Sequence, residues 1–226
     1  HWDECGHEAG QEMFCEMNDR FLVTARRFLK SDEGQVEDFY YQFREQKKGV
    51  AMVHSITGHN GFTLRDLVSY DVKHNEANGE KNLDGTEYNY SWNCGAEGPS
   101  RKKEVREKRA SQERNAFLML LLGMASPRIL SGDEFGNTQK GNNNVYCQDN
   151  PTGWTDWKNA RRHTGLSSFV KEAIAFRKNH PILHMPQEMR GVDYMAKGFP
   201  DISVHGERAW FLNRDNTSRL LGVMYC

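Results

Sequence analysis

Two short apolar runs, each followed at once by a polar turn, constrain the fold of this chain more than any other feature. The first run, residues 50–57, ends at residues 58–61 (Gly-His-Asn-Gly), and the second, residues 128–131, ends at residues 132–136 (Gly-Asp-Glu-Phe-Gly). Amphipathic helical segments lie between and around these runs, which is typical of parallel strands joined by crossover helices. The carboxyl ends of such strands meet on one face, where ligands bind. We therefore expect an α/β fold with both polar turns on a common face.

Three helices are predicted from apolar residues that recur at helical spacing, at residues 18–30, 102–124 and 166–178. Asn18 can cap the first of them, and Pro181 lies just beyond the third. One or two helical turns are also expected at residues 63–70. Residues 73–99, by contrast, are dense in Asn, Gly, Asp and Glu and show no apolar period. A loop of this length with several aromatic residues is usually functional, so we interpret it as a binding loop.

The last part of the sequence changes character. Short apolar segments at 202–205, 209–211 and 220–225 predict strands without helices between them. We expect two domains, an α/β domain over residues 1–183 and the beginning of a β domain over residues 184–226.

Charge and cysteine content exclude several classes of function. Thirty basic and thirty-one acidic side chains leave no basic excess for nucleic acid. The longest apolar run, residues 116–125, is about half of the ~20 residues that span a bilayer, so no membrane partner is expected. Five scattered cysteines without a C-x-x-C spacing favour a reduced, cytoplasmic location.

The candidate site residues are polar groups at predicted strand ends and aromatic residues near them. His59 and Asn60 follow the first run, and Asp133 and Glu134 follow the second. Ordinary solvated turns are the alternative interpretation of both pairs. Tyr70 and Trp92 belong to a group of aromatics interleaved with Asn, Asp and Glu, a composition suited to sugar rings. No zinc-binding spacing, G-x-S-x-G turn or P-loop occurs, so no metal and no cofactor are predicted.

Three segments carry a resemblance to a known family: residues 16–32 (EMNDRFLVTARRFLKSD), 59–100 (HNGFTLRDLVSYDVKHNEANG and onward) and 129–157 (ILSGDEFGNTQKGNNNVYCQDNPTGWTDW). Together they resemble isoamylase-type debranching enzymes of the alpha-amylase family, glycoside hydrolase family 13. The resemblance covers most of residues 1–183 and is weaker beyond them. It implies the C-terminal part of a (β/α)₈ barrel, followed by the start of a β-sandwich domain.

The resemblance also implies a reaction, the hydrolysis of α-1,6 branch points in glycogen or related α-glucans with retention of configuration. The two carboxyl groups that break the bond are not in this chain by this comparison, since residues 1–3 match the stretch just after the family's general acid and the nucleophile lies further upstream. His59 and Asn60 match a His-Asp pair, so Asn60 takes the position of a catalytic, transition-state-stabilising Asp. His59, Tyr70, Trp92, Asp133 and Glu134 are expected to bind substrate.

Asn60 leaves alternatives open because it has the shape of Asp without its charge, and loss of one such electrostatic contact commonly costs ~3 kcal/mol. The parent protein is predicted to be a debranching hydrolase, with this chain inactive alone. A catalytically silent, α-glucan-binding or regulatory homologue is the alternative, and sugar transfer in place of hydrolysis is a third. The oligomeric state is not predicted.

Overall fold

The computed structural model describes residues 2–8, 11–162 and 164–226, with side chains described from Cys15 onward. His1, next to which the resemblance places the general acid, lies outside the described residues. The chain divides into two compact units. Unit 1 comprises His1–His54, Leu122–Pro127 and Arg177–Cys226, and unit 2 comprises Ser55–Leu121 and Arg128–Phe176.

Unit 1 contains a four-stranded sheet whose strands follow one another in chain order. The strands are β1 (Trp2–Glu8), β2 (Gln11–Met17), β3 (Ala51–His54) and β4 (Ser126–Pro127). β1 pairs antiparallel with β2, whereas β2, β3 and β4 are parallel. The predicted α/β class with parallel strands is confirmed. The parallel strand predicted at residues 128–131 is found instead at Ser126–Pro127, which pairs with Val53 and His54.

Two helices connect β2 to β3, as parallel pairing requires. α1 (Asp19–Leu29) begins at Asn18, whose Oδ1 accepts a hydrogen bond from the Phe21 backbone N–H at 2.9 Å, which confirms the predicted cap. α2 (Gln35–Arg44) was not predicted, because its charged residues conceal an apolar face.

His54 is the polar centre of the core of unit 1. Its side chain is fully buried and stacks on Phe21, with ring centroids 3.8 Å apart and planes 8° apart. Asn18 Nδ2 lies 3.3 Å from His54 Nε2, while His54 Nδ1 has no hydrogen-bond partner among the described residues. Burial, reinforced by the charge of Arg177, lowers the pKa of His54 to about 3. The imidazole is therefore neutral at physiological pH.

The C-terminal segment of unit 1 forms a hairpin of β5 (Ile202–His205) and β6 (Gly222–Tyr225). Ile202 is buried with Met124 and Met189, and the Tyr225 hydroxyl donates to the Leu122 carbonyl at 2.9 Å. Two of the three predicted strands are thus confirmed, while residues 209–211 form only a turn with one bridge. Residues 177–226 belong to unit 1 because of contacts of this kind. The domain expected to begin at residue 184 stays a prediction.

Unit 2 has helices but no strand among its described residues. Its helices are α3 (Leu64–Leu67), α4 (Lys103–Leu121), α5 (Trp157–Arg162) and most of α6 (Thr164–Asn179). Single turns of 3₁₀ helix occur at Glu76–Asn78, Asp133–Phe135 and Val145–Cys147. The helices predicted at 63–70, 102–124 and 166–178 are confirmed, as is the long irregular loop at 73–99. The short α5 was not predicted.

None of the described helices is both long and apolar enough to cross a membrane. Cys94, Cys147 and Cys226 are free thiols, whereas Cys15 is disulfide-bonded. The disulfide at Cys15 does not fit the reduced compartment that the scattered cysteines favoured, and the location stays a prediction.

Candidate functional site

The turn that follows β3 presents two polar side chains to solvent. His59 and Asn60 are exposed, whereas Phe62, two residues further on, is fully buried. Gly61 lies between them with φ +128°, a conformation that favours glycine, and its N–H donates to the Asn143 carbonyl at 3.0 Å. The turn is therefore fixed immediately after its two exposed residues.

The Asp133 carboxyl group forms hydrogen bonds with both segments that flank the same turn. Its Oδ2 accepts a hydrogen bond from the Thr57 hydroxyl before the turn, and its Oδ1 accepts one from the Leu64 backbone N–H after it, at 2.8 Å. These two hydrogen bonds join the segments that flank residues 58–61 to the segment at residues 132–136. Asp133 is only 2 % exposed, however, with both oxygens engaged. In this structure Asp133 therefore positions the turn, and the expectation that Asp133 binds substrate stays a prediction.

Burial dominates the electrostatics of Asp133. It raises the pKa of the carboxyl group to about 7, against the opposing effect of the hydrogen bonds from Thr57 and Leu64. A buried acid with this pKa carries its proton for part of the time at neutral pH. Its protonated form can also donate to the Thr57 oxygen, so the bridge is compatible with either state.

Glu134, the neighbouring carboxylate, is half-buried and bonds to its own turn. Its Oε2 accepts from the Gly132 N–H at 2.9 Å, and its carbonyl accepts from the Ser167 hydroxyl at 3.0 Å. Gly132 has φ +101°, and a Cβ there would lie 2.7 Å from the Cβ of Asn137, so this tight turn requires glycine. Glu134 keeps a partly accessible carboxylate beside the Asp133 bridge.

A network of buried amides joins the loop at 73–99 to the loop at 137–150. Asn143 is its centre: Asn143 Nδ2 donates to the Thr86 carbonyl and to Asn89 Oδ1, and Asn143 Oδ1 accepts from Asn75 Nδ2 at 2.8 Å. The Asn143 backbone N–H donates in turn to Asn75 Oδ1 at 3.0 Å. Asn75 and Asn143 are 0 % and 3 % exposed. Because the Asn143 carbonyl also holds Gly61, this network supports the His59–Asn60 turn.

A second part of the network surrounds Asn78 and Asp84. Asp84 Oδ2 accepts hydrogen bonds from Asn78 Nδ2 at 2.7 Å and from Asn144 Nδ2 at 2.8 Å. Asn142 Nδ2 donates to Asn78 Oδ1 at 2.7 Å. The asparagines that we had interpreted as a sugar-binding composition thus bind one another to a large extent.

Tyr70 is buried and part of the packing between these loops. Its ring contacts Phe62 and His74, with centroids 6.2 and 5.3 Å away. A Cβ at Gly141 would lie 2.8 Å from the ring, and one at Gly98 would lie 3.3 Å from it. With 8 % of its surface exposed, Tyr70 has no free face for a sugar ring. The structure therefore places it among the groups that shape the loops.

Trp92 is half-buried, and both its backbone and its ring make contacts. Its backbone N–H donates to the Leu67 carbonyl at 3.0 Å, and Lys108 Nζ lies 5.2 Å from the centre of its ring. The segment beyond it is fixed by Arg109, a 4 % exposed residue of α4 whose guanidinium donates to the carbonyls of Asn93, Gly98, Ala96 and Ser69. Trp92 keeps an accessible part, as a binding residue needs.

The turn thus offers a substrate one imidazole and one carboxamide, held by a buried frame. When the imidazole is neutral, both groups can donate and accept hydrogen bonds, and neither carries a net charge. Groups of this kind are suited to binding hydroxyl groups. No group of three or more potential metal ligands occurs among the residues that the structure describes.

The residues that make this frame were not predicted from the sequence; they are Thr57, Asn75, Arg109 and Asn143. The usable signal was the clustering of asparagine in two separate loops, because loops without secondary structure must satisfy their buried backbone groups through side chains.

Curated relatives match most of this chain. It is 38 % identical over 202 residues to the "Glycogen operon protein GlgX homolog" of Mycobacterium tuberculosis (strain ATCC 25618 / H37Rv), a match that covers 84 % of this chain and 28 % of that protein. It is 45 % identical over 178 residues to the "Glycogen debranching enzyme" of Erwinia tasmaniensis, with coverages of 75 % and 27 %. The chain spans less than a third of the length of the curated relatives that it matches. No family model matches it.

Solved structures share its fold at low sequence identity. The catalytic module of the multi-modular glycogen-degrading pneumococcal virulence factor SpuA aligns with a TM-score of 0.62 at 12 % identity, over 92 % of this chain and 32 % of that one. The pullulanase from Bacillus acidopullulyticus aligns with a TM-score of 0.55 at 17 % identity, over 75 % and 19 %. A mutant pullulanase from Paenibacillus barengoltzii complexed with maltotetraose aligns at 0.52 and 20 %, over 75 % and 25 %.

Proposed function

We propose a function from the premise that this chain belongs to the isoamylase-type glycogen debranching enzymes of the alpha-amylase family, glycoside hydrolase family 13. It forms the substrate-facing part of a hydrolase that cleaves α-1,6 branch points of glycogen or a related α-glucan. The α/β unit with parallel strands would be a late portion of a (β/α)₈ barrel, followed by a β-sandwich domain.

The division of labour in the proposed reaction follows from retaining glycoside hydrolysis. That mechanism needs a nucleophilic carboxylate and an acid/base carboxyl group about 5 Å apart. We assign both to parts of the longer protein outside this chain, and we assign to His59 and Asn60 the hydrogen bonds to sugar hydroxyls beside the cleaved bond. This chain alone is then expected to release no reducing ends from glycogen.

One observation carries the proposal: the His59–Asn60 turn, which follows β3 in the chain, is exposed, and both segments that flank it are hydrogen-bonded to Asp133. Catalytic groups act best when their supports are rigid, since small displacements weaken transition-state contacts. The frame of buried amides and carboxyl groups around two free polar side chains has this property.

A specific observation also favours the second candidate, a catalytically silent α-glucan-binding homologue. Asn60 places a neutral amide where the family pattern has a carboxylate, which removes charge stabilisation from an oxocarbenium-like transition state. Such a homologue would bind α-glucan without cleaving it. Sugar transfer to a glucan acceptor is a variant of the first candidate and shares its site.

The experiment that tests the proposal compares Asn60 with Asp in the protein expressed from its complete open reading frame. Release of reducing ends from glycogen is measured for the wild type, Asn60→Asp and His59→Ala. Asn60→Asp should raise kcat roughly a hundredfold, and His59→Ala should lower it by a similar factor. Asn115→Asp, the same change at an exposed site on α4, is the matched control and should leave the rate unaltered.

Two other outcomes are informative. Absence of reducing-end release from both the wild type and Asn60→Asp, with glycogen binding retained, would establish the silent homologue. Equal rates for Asn and Asp would mean that the side chain at position 60 does not stabilise the transition state. Products longer than the substrate branches would indicate transfer.

A cytoplasmic location and an α-glucan partner complete the proposal. The disulfide at Cys15 is unusual for a reducing compartment. Cell fractionation, together with thiol labelling of the freshly isolated protein, tests the location.

A further inference from the structure

We propose that Trp154 and Trp157 form a second α-glucan-binding site on unit 2, apart from the His59–Asn60 turn. The two indoles would bind consecutive sugar rings of a glucan chain and so keep the protein on a large branched particle. This inference rests on the proposed α-glucan partner, but it concerns different residues and a different measurement.

Two large aromatic side chains are exposed within three residues of each other. Trp154 is 55 % exposed and Trp157 is 64 % exposed, and both line a groove of about 680 Å³ together with Pro151, Lys140 and Asp156. This volume lies within the ~300–1,000 Å³ that is usual for ligand sites. Exposure of two adjacent indoles is costly in water and marks an interaction surface more often than chance.

Both rings are fixed in orientation before any ligand binds. The indole Nε1 of Trp154 donates to Asp149 Oδ1 at 2.9 Å, and the ring of Trp157 contacts the buried Phe135 with centroids 5.6 Å apart. Each ring is thus held at one edge while more than half of its side chain stays open. Pre-organised aromatic rings bind with a small loss of conformational entropy.

The backbone that carries the rings is equally fixed. Asn150 Oδ1 accepts from the Thr152 N–H at 2.8 Å, and the Asn150 carbonyl accepts from the Trp154 N–H at 3.0 Å. Asn137 Oδ1 accepts from the Asp156 N–H at 3.0 Å, and the Asp156 carboxylate accepts from the N–H groups of Lys158 and Asn159, where α5 begins. The groove is therefore a built feature of unit 2 and not a flexible loop.

The chemistry of the groove selects an uncharged, hydroxyl-rich ligand. Indole faces bind the apolar face of a sugar ring, and the polar groups of Lys140, Asp156 and Lys158 at the rim can bind its hydroxyls. Cations and a carboxylate occur together, so the groove attracts neither a polyanion nor a polycation. A purely apolar partner would remove water from the ammonium groups of Lys140 and Lys158 without replacing its hydrogen bonds. A glucan chain satisfies both the aromatic and the polar parts.

The test measures retention of the protein from the complete open reading frame in a native gel that contains glycogen. Trp154→Ala and Trp157→Ala should each weaken glycogen binding by roughly tenfold, and the double variant by more. Trp154→Phe should restore most of the affinity, because it keeps an aromatic face. Trp210→Ala is the matched control: Trp210 is also 55 % exposed but lies in unit 1, outside this groove.

The result that overturns the site is glycogen retention that does not change in Trp154→Ala, Trp157→Ala or the double variant while circular dichroism shows a folded protein. Retention that falls equally in Trp210→Ala would also overturn it. A change in sedimentation coefficient of the alanine variants without glycogen would assign the indoles to a protein contact instead.

This proposal and the proposed hydrolysis fail separately. Tryptophan-dependent retention without reducing-end release would keep the groove and remove the activity. Reducing-end release with tryptophan-independent retention would keep the activity and remove the groove.

Discussion

The two units of this chain are ordered by different means. In unit 1, backbone hydrogen bonds between parallel strands and the apolar faces of α1 and α2 define the structure. In unit 2, most residues outside α4 and α6 are irregular, and buried asparagines and carboxyl groups hold the loops together. Backbone ladders tolerate many side chains, whereas an amide network depends on the identity of each member. Unit 2, which carries the face proposed to bind substrate, is therefore more sensitive to substitution than unit 1.

The largest expected effect is the loss of the amide network in Asn143→Leu. The substitution keeps the volume but removes one hydrogen bond from each of the Thr86 carbonyl, Asn89 Oδ1 and Asn75 Nδ2, while Thr86 keeps a hydrogen bond from Asn89 and Asn75 keeps one to the Asp84 carbonyl. Each of the three lost hydrogen bonds contributes about 1 kcal/mol net, so we expect a destabilisation of roughly 3 kcal/mol. Hydrogen exchange of residues 73–99 should accelerate accordingly.

The matched control for this change is Asn115→Leu, on the exposed side of α4. It should alter stability by no more than about 0.5 kcal/mol. Slow exchange of the loop in Asn143→Leu would contradict the view that side-chain amides hold unit 2.

The second largest effect should be acid sensitivity of unit 1 through His54. The pKa of His54 is about 3 in the folded state and 6.5 in the ordinary state, so between these values the unfolded chain binds the additional proton. Stability is therefore lost as pH falls from about 6.5 towards 3, by up to about 1.4 kcal/mol per pH unit. Thermal unfolding of wild type and His54→Phe over this range measures it, and the variant should lack this slope.

A slope that persists unchanged in His54→Phe would assign the acid sensitivity to other groups. Phenylalanine can keep the stack on Phe21, and Asn18 Nδ2 still has Glu45 as a hydrogen-bond acceptor at 3.2 Å. The variant is thus expected to fold.

Unit 2 should show the opposite pH response through Asp133. Its folded pKa of about 7 exceeds the ordinary 3.8, so the folded chain binds the additional proton between these values. Stability falls as pH rises from about 4 to about 7, again by at most about 1.4 kcal/mol per pH unit, and is constant beyond. Asp133→Asn, whose amide can still bridge Thr57 and Leu64, should remove this slope and be the more stable protein at pH 8.

Hydrogen exchange resolved by residue separates the two responses, after correction for the pH dependence of intrinsic exchange. Unit 1 should become less protected and unit 2 more protected as pH falls from 6.5 to 4.5. Protection from hydrogen exchange that rises in both units, or falls in both, would contradict the opposite pH responses expected of them.

The smallest effect concerns the support of Trp92. Lys108→Gln removes the cation above the indole, and an exposed cation–π contact of this kind contributes about 0.5–1 kcal/mol. Thermal unfolding should reveal a slight loss of stability, and Lys102→Gln, an exposed lysine just before α4, should reveal none. A loss equal in the two variants would indicate a general charge effect.

The sequence predicted some elements of unit 1 correctly and missed others. α1 was predictable because Asn18 caps it and Phe21, Ala25 and Leu29 lie on one face. α2 was missed although Val36, Phe39 and Phe43 have helical spacing, since acidic and basic residues between them dominate the composition. The strand expected at 128–131 lies at Ser126–Pro127, because its position is set by pairing with β3 and not by the apolar run.

The exposure of the candidate turn was predictable, whereas the direction of the neighbouring side chains was not. A strand end followed by His59 and Asn60 indicated which turn would be exposed, and the structure places it so. The inward direction of Asp133 and Tyr70 could not be foreseen, because burial of a carboxyl group or a phenol depends on partners distant in the sequence, such as Thr57 and Gly141. Alternating polar and aromatic residues indicate a functional loop. They do not indicate which side chains bind a ligand and which support the loop.

The hydrogen bond from Gly61 to Asn143 has a consequence for chemical ageing. Asparagine followed by glycine ordinarily loses ammonia when the glycine peptide nitrogen gives up its proton and attacks the side-chain carbonyl to close a succinimide ring. Here the Gly61 nitrogen is buried and its proton is engaged with the Asn143 carbonyl at 3.0 Å, so the ring-closing step is hindered. Position 60 should therefore keep its carboxamide through storage and cell life, so the proposed role of this residue concerns the amide that is set at translation.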